Sequence, residues 1–251
     1  MRTLLWRIKL DGVGCCCYCR VNYKKKRRIG GNVRINEKHM IMEIKIWADF
    51  ACPYSYMGEK QLMDIIEKMG IADKVKIRFL SYQLDPDAPA IPTETMTQHF
   101  MSGHQYTEEQ SEHLMERITT MASRLGLDYR LATTPVCSTF DAHRLMEYAQ
   151  ATSSQETAIK LNFALFHANF IENLRLSDHN VLLSIASKCG LDEDAVRKVL
   201  ESDEYGDQVK AEEQEVDQRK DFDLIPYMVF DDTMVLQGVI SPGAMKKALV
   251  G

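Results

Sequence analysis

The fold is set by one stretch, Glu43-Ile44-Lys45-Ile46-Trp47-Ala48-Asp49-Phe50-Ala51-Cys52-Pro53-Tyr54-Ser55-Tyr56-Met57-Gly58. Its first half alternates, and one period-2 face carries Ile44, Ile46, Ala48 and Phe50, as is typical of a half-buried strand. Pro53 suits the first position of a helix. Helical spacing then continues through Leu62, Ile65, Ile66 and Met69 up to Gly70. The pattern predicts a strand, then a helix, with Cys52 at their junction.

Cys52 stands one residue ahead of this predicted helix. Its sulfur is therefore expected near the first unpaired N–H groups and the positive end of the helix dipole, which favour the thiolate. A free cysteine is commonly only a small buried hydrophobe, and that is the alternative interpretation. Because a strand end, a cysteine and a proline-initiated helix coincide, we interpret Cys52 as a reactive residue.

Composition describes an ordinary globular chain of 251 residues, 45% hydrophobic and 27% charged, with room for one or two domains. Residues 1 to 41 hold 11 Lys and Arg against 2 Asp and Glu, whereas residues 42 to 251 hold 20 against 34. The acidic main part lacks the clustered cations that phosphate contacts need. We therefore expect no nucleic-acid partner.

The basic segment 1–41 contains Cys15-Cys16-Cys17-Tyr18-Cys19 and Lys24-Lys25-Lys26-Arg27-Arg28, and shows no sustained helix or strand period. Two functional interpretations are a thiolate metal site and a basic nucleic-acid arm. Four cysteines within five residues cannot easily surround one tetrahedral ion, and no second CxxC pair exists. We expect no metal site, and we interpret residues 1–41 as an appended leader, disordered or not native, that contributes little to the fold.

The compartment is predicted to be the cytoplasm. Leu4-Leu5-Trp6 is followed at once by Arg7, which leaves no apolar core for a secretory signal. No run is long enough to span a bilayer, so no membrane partner is expected. Four of the 7 cysteines lie in the leader, and the remainder do not form a disulfide framework.

The order of elements predicts an α/β fold. A second strand is expected at residues 75–82, parallel to the first, with Cys52 at the carboxyl edge where ligands of open sheets bind. Helical patterns follow, with starts expected at Ser138 and Ser153 among others, before a strand at 223–230, a hairpin turn at 231–233 and a closing helix. We predict one domain from residues 42–92 and 200–251, and an inserted helical subdomain at 93–199.

Cys52-Pro53-Tyr54-Ser55-Tyr56 resembles the CPxC active site of the DsbA-like thioredoxin superfamily, especially its FrnE-type cytoplasmic branch, whose motif commonly reads CPWCY(I/L)GK. Ser55 stands where the second, resolving cysteine of that motif would be. The segment is also similar to the SPYSY of kappa-class glutathione transferases and 2-hydroxychromene-2-carboxylate isomerases. The segment therefore resembles the active sites of two classes of enzyme, thiol oxidoreductases and glutathione-dependent transferases or isomerases.

The resemblance extends over residues 43 to 250. Ser138-Thr139-Phe140-Asp141-Ala142-His143-Arg144-Leu145 is similar to the NTxxAHRL segment of FrnE-like proteins, and Leu84-Asp85-Pro86 to their L(N/D)P. It implies a thioredoxin fold with an inserted helical subdomain, and a cis-proline beside the active cysteine at Ile225-Pro226. From base rates a trans proline that begins a strand is the alternative. If the bond is cis, the Ile225 backbone can pair with an extended substrate or with glutathione.

His143 is a candidate proton carrier near Cys52, because an unperturbed imidazole titrates near pH 6.5. A capping or surface histidine is the alternative interpretation. Pro53 and Tyr54 complete the expected substrate or glutathione site around Cys52 and Ser55.

The leading functional hypothesis is a monothiol oxidoreductase. The Cys52 thiolate would form a mixed disulfide, which Ser55 cannot resolve, so glutathione or another soluble thiol would act as co-substrate. Ser55 would instead donate a hydrogen bond to the Cys52 thiolate and lower its pKa. No tightly bound cofactor is expected. The oligomeric state stays open, with a homodimer among the options.

Two other hypotheses remain. A glutathione-dependent transferase or isomerase would use the residue at position 52 to hold the glutathione thiolate by a hydrogen bond. A peptide-binding protein without turnover would keep the scaffold and recognise an extended chain beside Pro226.

Overall fold

The computed structural model describes residues 22–23 and 41–250. Its strands are β1 (Asn22–Tyr23), β2 (Met42–Ala48), β3 (Val75–Ser81), β4 (Tyr227–Phe230) and β5 (Met234–Gln237), in the sheet order β1-β5-β4-β2-β3. β2 pairs parallel with β3 and antiparallel with β4. The predicted crossover and the predicted hairpin are confirmed, and Cys52 follows the carboxyl end of β2.

The described part of the chain also contains α-helices: α1 (Pro53–Met69), α2 (Met96–His104), α3 (Glu108–Ser123), α4 (Phe140–Thr152), α5 (Gln155–Phe170), α6 (His179–Lys188), α7 (Glu193–Leu200), α8 (Gly206–Asp217) and α9 (Pro242–Val250). α1 begins at Pro53, as predicted. It ends at Gly70, whose φ of +63° is the left-handed conformation that glycine adopts without strain.

Three predicted boundaries differ from the structure. α5 is capped by Ser154, whose side chain accepts from the Thr157 amide, rather than starting at Ser153. α4 begins at Phe140 after Thr139, and the Ser138 hydroxyl accepts from the Phe140 amide. β4 starts at Tyr227 and not at residue 223, since Pro226 has no N–H with which to extend the ladder.

β2 is covered on both faces towards its carboxyl end, so the half-buried strand predicted from its alternation is wrong there. Ile44 and Ile46 belong to the large core that includes α1 and α9, whereas Trp47 packs in a second apolar cluster on the opposite face. The indole of Trp47 donates to the Glu212 carbonyl of α8 over 3.0 Å. The cover from α8 explains the difference, because it buries the side that alternation assigns to solvent.

The predicted leader falls mostly outside the described residues. Asn22–Tyr23, within that segment, pairs antiparallel with Val235 and Met234 of β5. No sequence pattern predicted this strand. Two residues are too short for any periodicity to mark them.

Candidate active site around Cys52

Cys52 is the residue that caps α1 at its N-terminus. Its φ of −94° and ψ of 110° are extended, its amide donates to the Asp49 carbonyl at 2.9 Å, and its carbonyl accepts from the Ser55 amide at 3.1 Å. The strand-to-helix junction predicted from sequence is therefore present. Cys52 is only 2% exposed, however, and packs in the same apolar cluster as Ile225 and Tyr82.

Burial raises the pKa of the Cys52 thiol to about 11. The Ser55 hydroxyl and the Ser55 and Tyr54 amides act to lower this pKa, while the Asp49 carboxylate raises it further. The expectation that the Cys52 thiol is acidic is therefore wrong for this structure, in which the thiol is buried. Burial removes water from the thiolate, and this raises the pKa of Cys52 by more than the amide groups at the helix N-terminus lower it. In an apolar cluster, nearby amide groups do not replace all of the stabilisation that water gives to a charge.

Ser55 lies at the place of a second cysteine and is completely buried. Its hydroxyl is close enough to Cys52 to lower the pKa of the thiol, although Ser55 Oγ reaches no partner with full hydrogen-bond geometry among the described residues. Tyr54 is partly buried and packs against both apolar clusters. Both residues thus lie beside Cys52, and their roles stay predictions.

The Ile225–Pro226 peptide bond is cis, as predicted. Ile225 shares the apolar cluster of Cys52, and Pro226 packs against α1 at Gly58. A Cβ atom built on Gly58 would lie 2.9 Å from Cγ of Pro226. Pro226 can therefore approach α1 this closely only because Gly58 has no side chain.

Replacing Gly58 by alanine is expected to lower the free energy of unfolding by about 1–3 kcal/mol, because the new methyl group overpacks Pro226. Gly243→Ala in α9 is the matched control, since a Cβ built there meets no described atom within 4 Å apart from its own helix. Urea unfolding of both variants measures the difference. Equal midpoints for Gly58→Ala and Gly243→Ala would contradict the close packing of Pro226 on α1.

Pro53 is buried, and its carbonyl oxygen accepts a 2.9 Å hydrogen bond from the Tyr129 hydroxyl. Tyr129 lies between α3 and α4, in the predicted helical subdomain. This hydrogen bond therefore links the first turn of α1 to the predicted helical subdomain.

Asp49 is a functional candidate that sequence reasoning missed. Its buried carboxylate accepts from the Leu84 amide at 2.7 Å, the Thr139 hydroxyl at 2.8 Å and the Ala51 amide at 3.1 Å. It thereby joins the Cys52 loop to the segment after β3 and to the start of α4. The available signal was an acidic residue at a strand end three positions before the cysteine.

His143 is buried on α4, and its Nε2 lies 3.4 Å from Oδ1 of Asp49. The ring also packs on Phe50, with ring centroids 4.9 Å apart. Its hydrogen-bond partner in the described structure is thus Asp49 and not the sulfur of Cys52. The geometry brings His143 to the site through Asp49, and its predicted proton-carrying role stays a prediction.

A cavity of about 40 Å³ opens beside Ala51, the residue before Cys52. Its lining is mostly apolar and includes Leu84, Met96 and Val136, with the imidazole of His99 among the polar groups. Nδ1 of His99 is 2.7 Å from Oε1 of Glu94, which fixes the orientation of the ring. Cys52 itself is not among the residues that line this cavity.

Residues 43–250 match the family of DSBA-like thioredoxin domains. The chain belongs to this family, and the predicted α/β thioredoxin fold with inserted helices is confirmed. A probable DsbA oxidoreductase from Streptomyces coelicolor is 27% identical, with a TM-score of 0.76 over 83% of this chain and 88% of the other.

Two further solved structures share the fold at lower identity. A 2-hydroxychromene-2-carboxylate isomerase is 15% identical, with a TM-score of 0.60 over 83% of this chain and 94% of the other. The cytosolic disulfide reductase DsbM from Pseudomonas aeruginosa, solved with glutathione, is 12% identical, with a TM-score of 0.57 over 83% of this chain and 97% of the other.

Two features are absent from residues 22–23 and 41–250, the part of the chain that the structure describes. Within this part of the chain, no helix has both the length and the apolar composition to cross a membrane. The same residues contain no group of three or more His, Cys, Asp or Glu side chains arranged to hold a metal ion.

Proposed function

We propose that the chain is a monothiol thiol–disulfide oxidoreductase of the DsbA family. The observation that supports this proposal best is the position of Cys52 at the N-terminus of α1. Cys52 lies there in one apolar cluster with Ile225 of the cis Ile225–Pro226 bond. Ser55 occupies the position of the second thiol. The Cys52 sulfur attacks one sulfur of a substrate disulfide and the other sulfur leaves as a thiolate. An external thiolate then attacks the substrate sulfur that is bonded to Cys52, forms a new disulfide with it and releases Cys52 as a thiolate.

Glutathione is the external thiol that we favour, and another soluble thiol would serve the same step. The structure of DsbM with glutathione supports this choice, because it concerns a disulfide reductase of the same fold. We place the reaction in the cytoplasm, since Cys52, Cys137 and Cys189 are all free thiols and reducing compartments keep thiols unpaired.

Substrate binding must first uncover the sulfur, since Cys52 is buried beneath side chains that include Tyr54, Leu84 and Ile225. The backbone of Ile225 makes no hydrogen bond to the rest of the described chain, because the ladder of β4 begins at Tyr227. An extended peptide or the cysteinyl part of glutathione can pair with it. Such pairing would displace the apolar cover and present the substrate sulfur to Cys52.

Incubation of the whole protein with glutathione disulfide tests the proposal. We expect a single glutathione adduct on the peptide that contains Cys52, which dithiothreitol removes, and no such adduct in Cys52→Ala. Its formation should accelerate up to pH 10, because the thiolate fraction of a thiol with a pKa of about 11 still grows there. An unmodified Cys52 beside modified Cys137 or Cys189 would refute the proposal.

A second candidate function is glutathione transfer or isomerisation, and the raised pKa of Cys52 favours it. A thiol that stays protonated at neutral pH can donate a hydrogen bond to a glutathione thiolate. The 2-hydroxychromene-2-carboxylate isomerase described above supports this second function only through its similar fold. Cys52→Ser separates the two functions: conjugation of glutathione to a chromogenic electrophile by this variant supports transfer, and loss of all glutathione-linked activity supports the oxidoreductase.

A further inference from the structure

Gln237 is a buried polar residue at the end of β5. It is 1% exposed, and its backbone lies opposite Tyr227, the first residue of β4. Buried polar side chains are nearly always hydrogen-bonded, so the partners of such a residue show what it holds in place. Within the described structure, the side-chain hydrogen bonds of Gln237 all go to the backbone of residues 221–224, a segment between α8 and β4.

The amide group of Gln237 makes three hydrogen bonds to this segment. Its Oε1 accepts from the backbone amides of both Asp223 and Leu224, each at 3.0 Å. Its Nε2 donates to the Asp221 carbonyl, also at 3.0 Å. Two successive amides that share one acceptor fix two successive peptide planes, and these planes come directly before Ile225. Gln237 therefore sets the direction in which the chain enters the cis bond.

β5 also holds the chain on the other side of Ile225. The amide of Gly238 donates to the Pro226 carbonyl at 3.0 Å. The backbone of Ile225 lies between these two attachments and makes no hydrogen bond within the described chain. Its side chain shares the apolar cluster of Cys52. Ile225 is thus held from both sides while its own N–H and C=O stay available to a substrate.

Gln150 of α4 shows a similar arrangement with a purely structural position. Its side chain accepts from the Phe79 amide at 2.9 Å and donates to the Phe79 carbonyl at 2.8 Å, on the edge strand β3. Both glutamines satisfy backbone groups and stabilise the fold. Gln237 differs because its partners adjoin Ile225, the residue that we expect to pair with the substrate.

We propose that Gln237 is a positioning residue that makes Cys52 prefer disulfides whose sulfurs belong to a peptide, an inference that rests on the proposed function of Cys52. By fixing the peptide planes before Ile225, Gln237 holds the N–H and C=O of Ile225 in the orientation that an extended peptide needs. A disulfide without peptide groups cannot make these hydrogen bonds. The chemical step is the same for both substrates, since Cys52 attacks one sulfur and the other leaves as a thiolate.

A comparison of two disulfides tests the proposal with the whole, reduced protein. Glutathione disulfide carries peptide groups beside each sulfur, and hydroxyethyl disulfide carries none. The rate of adduct formation on the Cys52 peptide is followed by mass for each disulfide, and the ratio of the two rate constants is the measured quantity. A change in the exposure of Cys52 alters both rate constants and leaves their ratio unchanged.

Gln237→Met removes the three hydrogen bonds at similar side-chain size. We expect the ratio of the rate with glutathione disulfide to the rate with hydroxyethyl disulfide to fall about 10-fold, because the hydrogen bonds to the Ile225 backbone are weakened. Gln237→Glu should restore most of the ratio, since its carboxylate can still accept from the Asp223 and Leu224 amides.

Gln150→Met is the matched control, because it makes the same chemical change away from Ile225, and it should keep the wild-type ratio. An unchanged ratio in Gln237→Met, or an equal fall in Gln150→Met, would overturn the positioning role while the oxidoreductase function stands. If Gln237→Met does not fold, Gln237→Asn decides alone, since its shorter side chain should also lower the ratio. A wild-type Cys52 that reacts with neither disulfide would refute the oxidoreductase function and this inference with it.

Discussion

Ser55→Cys is expected to let the protein complete one reduction of a disulfide without an external thiol. The buried hydroxyl at position 55 lies close enough to Cys52 to lower the pKa of its thiol, so a sulfur placed there can attack a mixed disulfide on Cys52. A tethered group acts at an effective concentration of about millimolar. In a single turnover without glutathione, the reduced variant should therefore release both thiols of a small chromogenic disulfide at about the rate of the wild type in roughly millimolar glutathione, and it should end with a disulfide between Cys52 and the new thiol.

Ser111→Cys is the control for Ser55→Cys. Ser111 on α3 is also fully buried with an unpartnered hydroxyl, so it reproduces the chemical change away from Cys52. It should retain the wild-type dependence on glutathione. Retention of that dependence in Ser55→Cys as well would show that position 55 does not face the mixed disulfide.

Asp49→Asn is expected to lower the free energy of unfolding and to make the Cys52 thiol more acidic. Its carboxylate accepts from Leu84, Thr139 and Ala51, and an amide nitrogen would confront some of these donors, so the free energy of unfolding should fall by about 3 kcal/mol. The same change removes a negative charge that raises the pKa of Cys52. The thiol should therefore become more acidic.

Urea unfolding and the pH dependence of Cys52 alkylation measure these two effects. Asp85→Asn is the control, because Asp85 is exposed and its carboxylate accepts, among the described residues, only from the nearby Asp87 amide, at 3.1 Å. Its unfolding free energy should stay within about 0.5 kcal/mol of wild type. A stable Asp49→Asn with an unchanged Cys52 pKa would contradict the central position of Asp49.

The fold was predictable because its signals are local. Alternation before Asp49, the proline at position 53 and the glycine at position 70 define β2 and α1 within one continuous stretch. The strand and the helix depend on backbone preferences that neighbouring residues express by themselves. The cis bond at Pro226 was implied by the family resemblance, and β4 begins one residue later, at Tyr227.

The acidity of Cys52 was not predictable in the same way. A helix N-terminus can be read from a proline, but the depth of the sulfur depends on Ile225, Tyr82 and other side chains far away in sequence. Those contacts reverse the expected direction of its pKa. Asp49 was missed for a related reason, since a single acidic residue shows no periodicity and its hydrogen-bond partners are known only from the fold.

The hydrogen bond from Tyr129 to the Pro53 carbonyl bears on whether the thioredoxin portion is a separable module. Asn169 likewise donates to the Phe50 carbonyl at 2.9 Å, and Asn162 to Glu59, so side chains of the predicted insert satisfy polar groups on both sides of Cys52. Excision of residues 93–199 would leave these groups unpaired. The predicted thioredoxin domain and the predicted insert thus depend on each other, and a shortened version of the chain would need new hydrogen-bond partners for the backbone on both sides of Cys52.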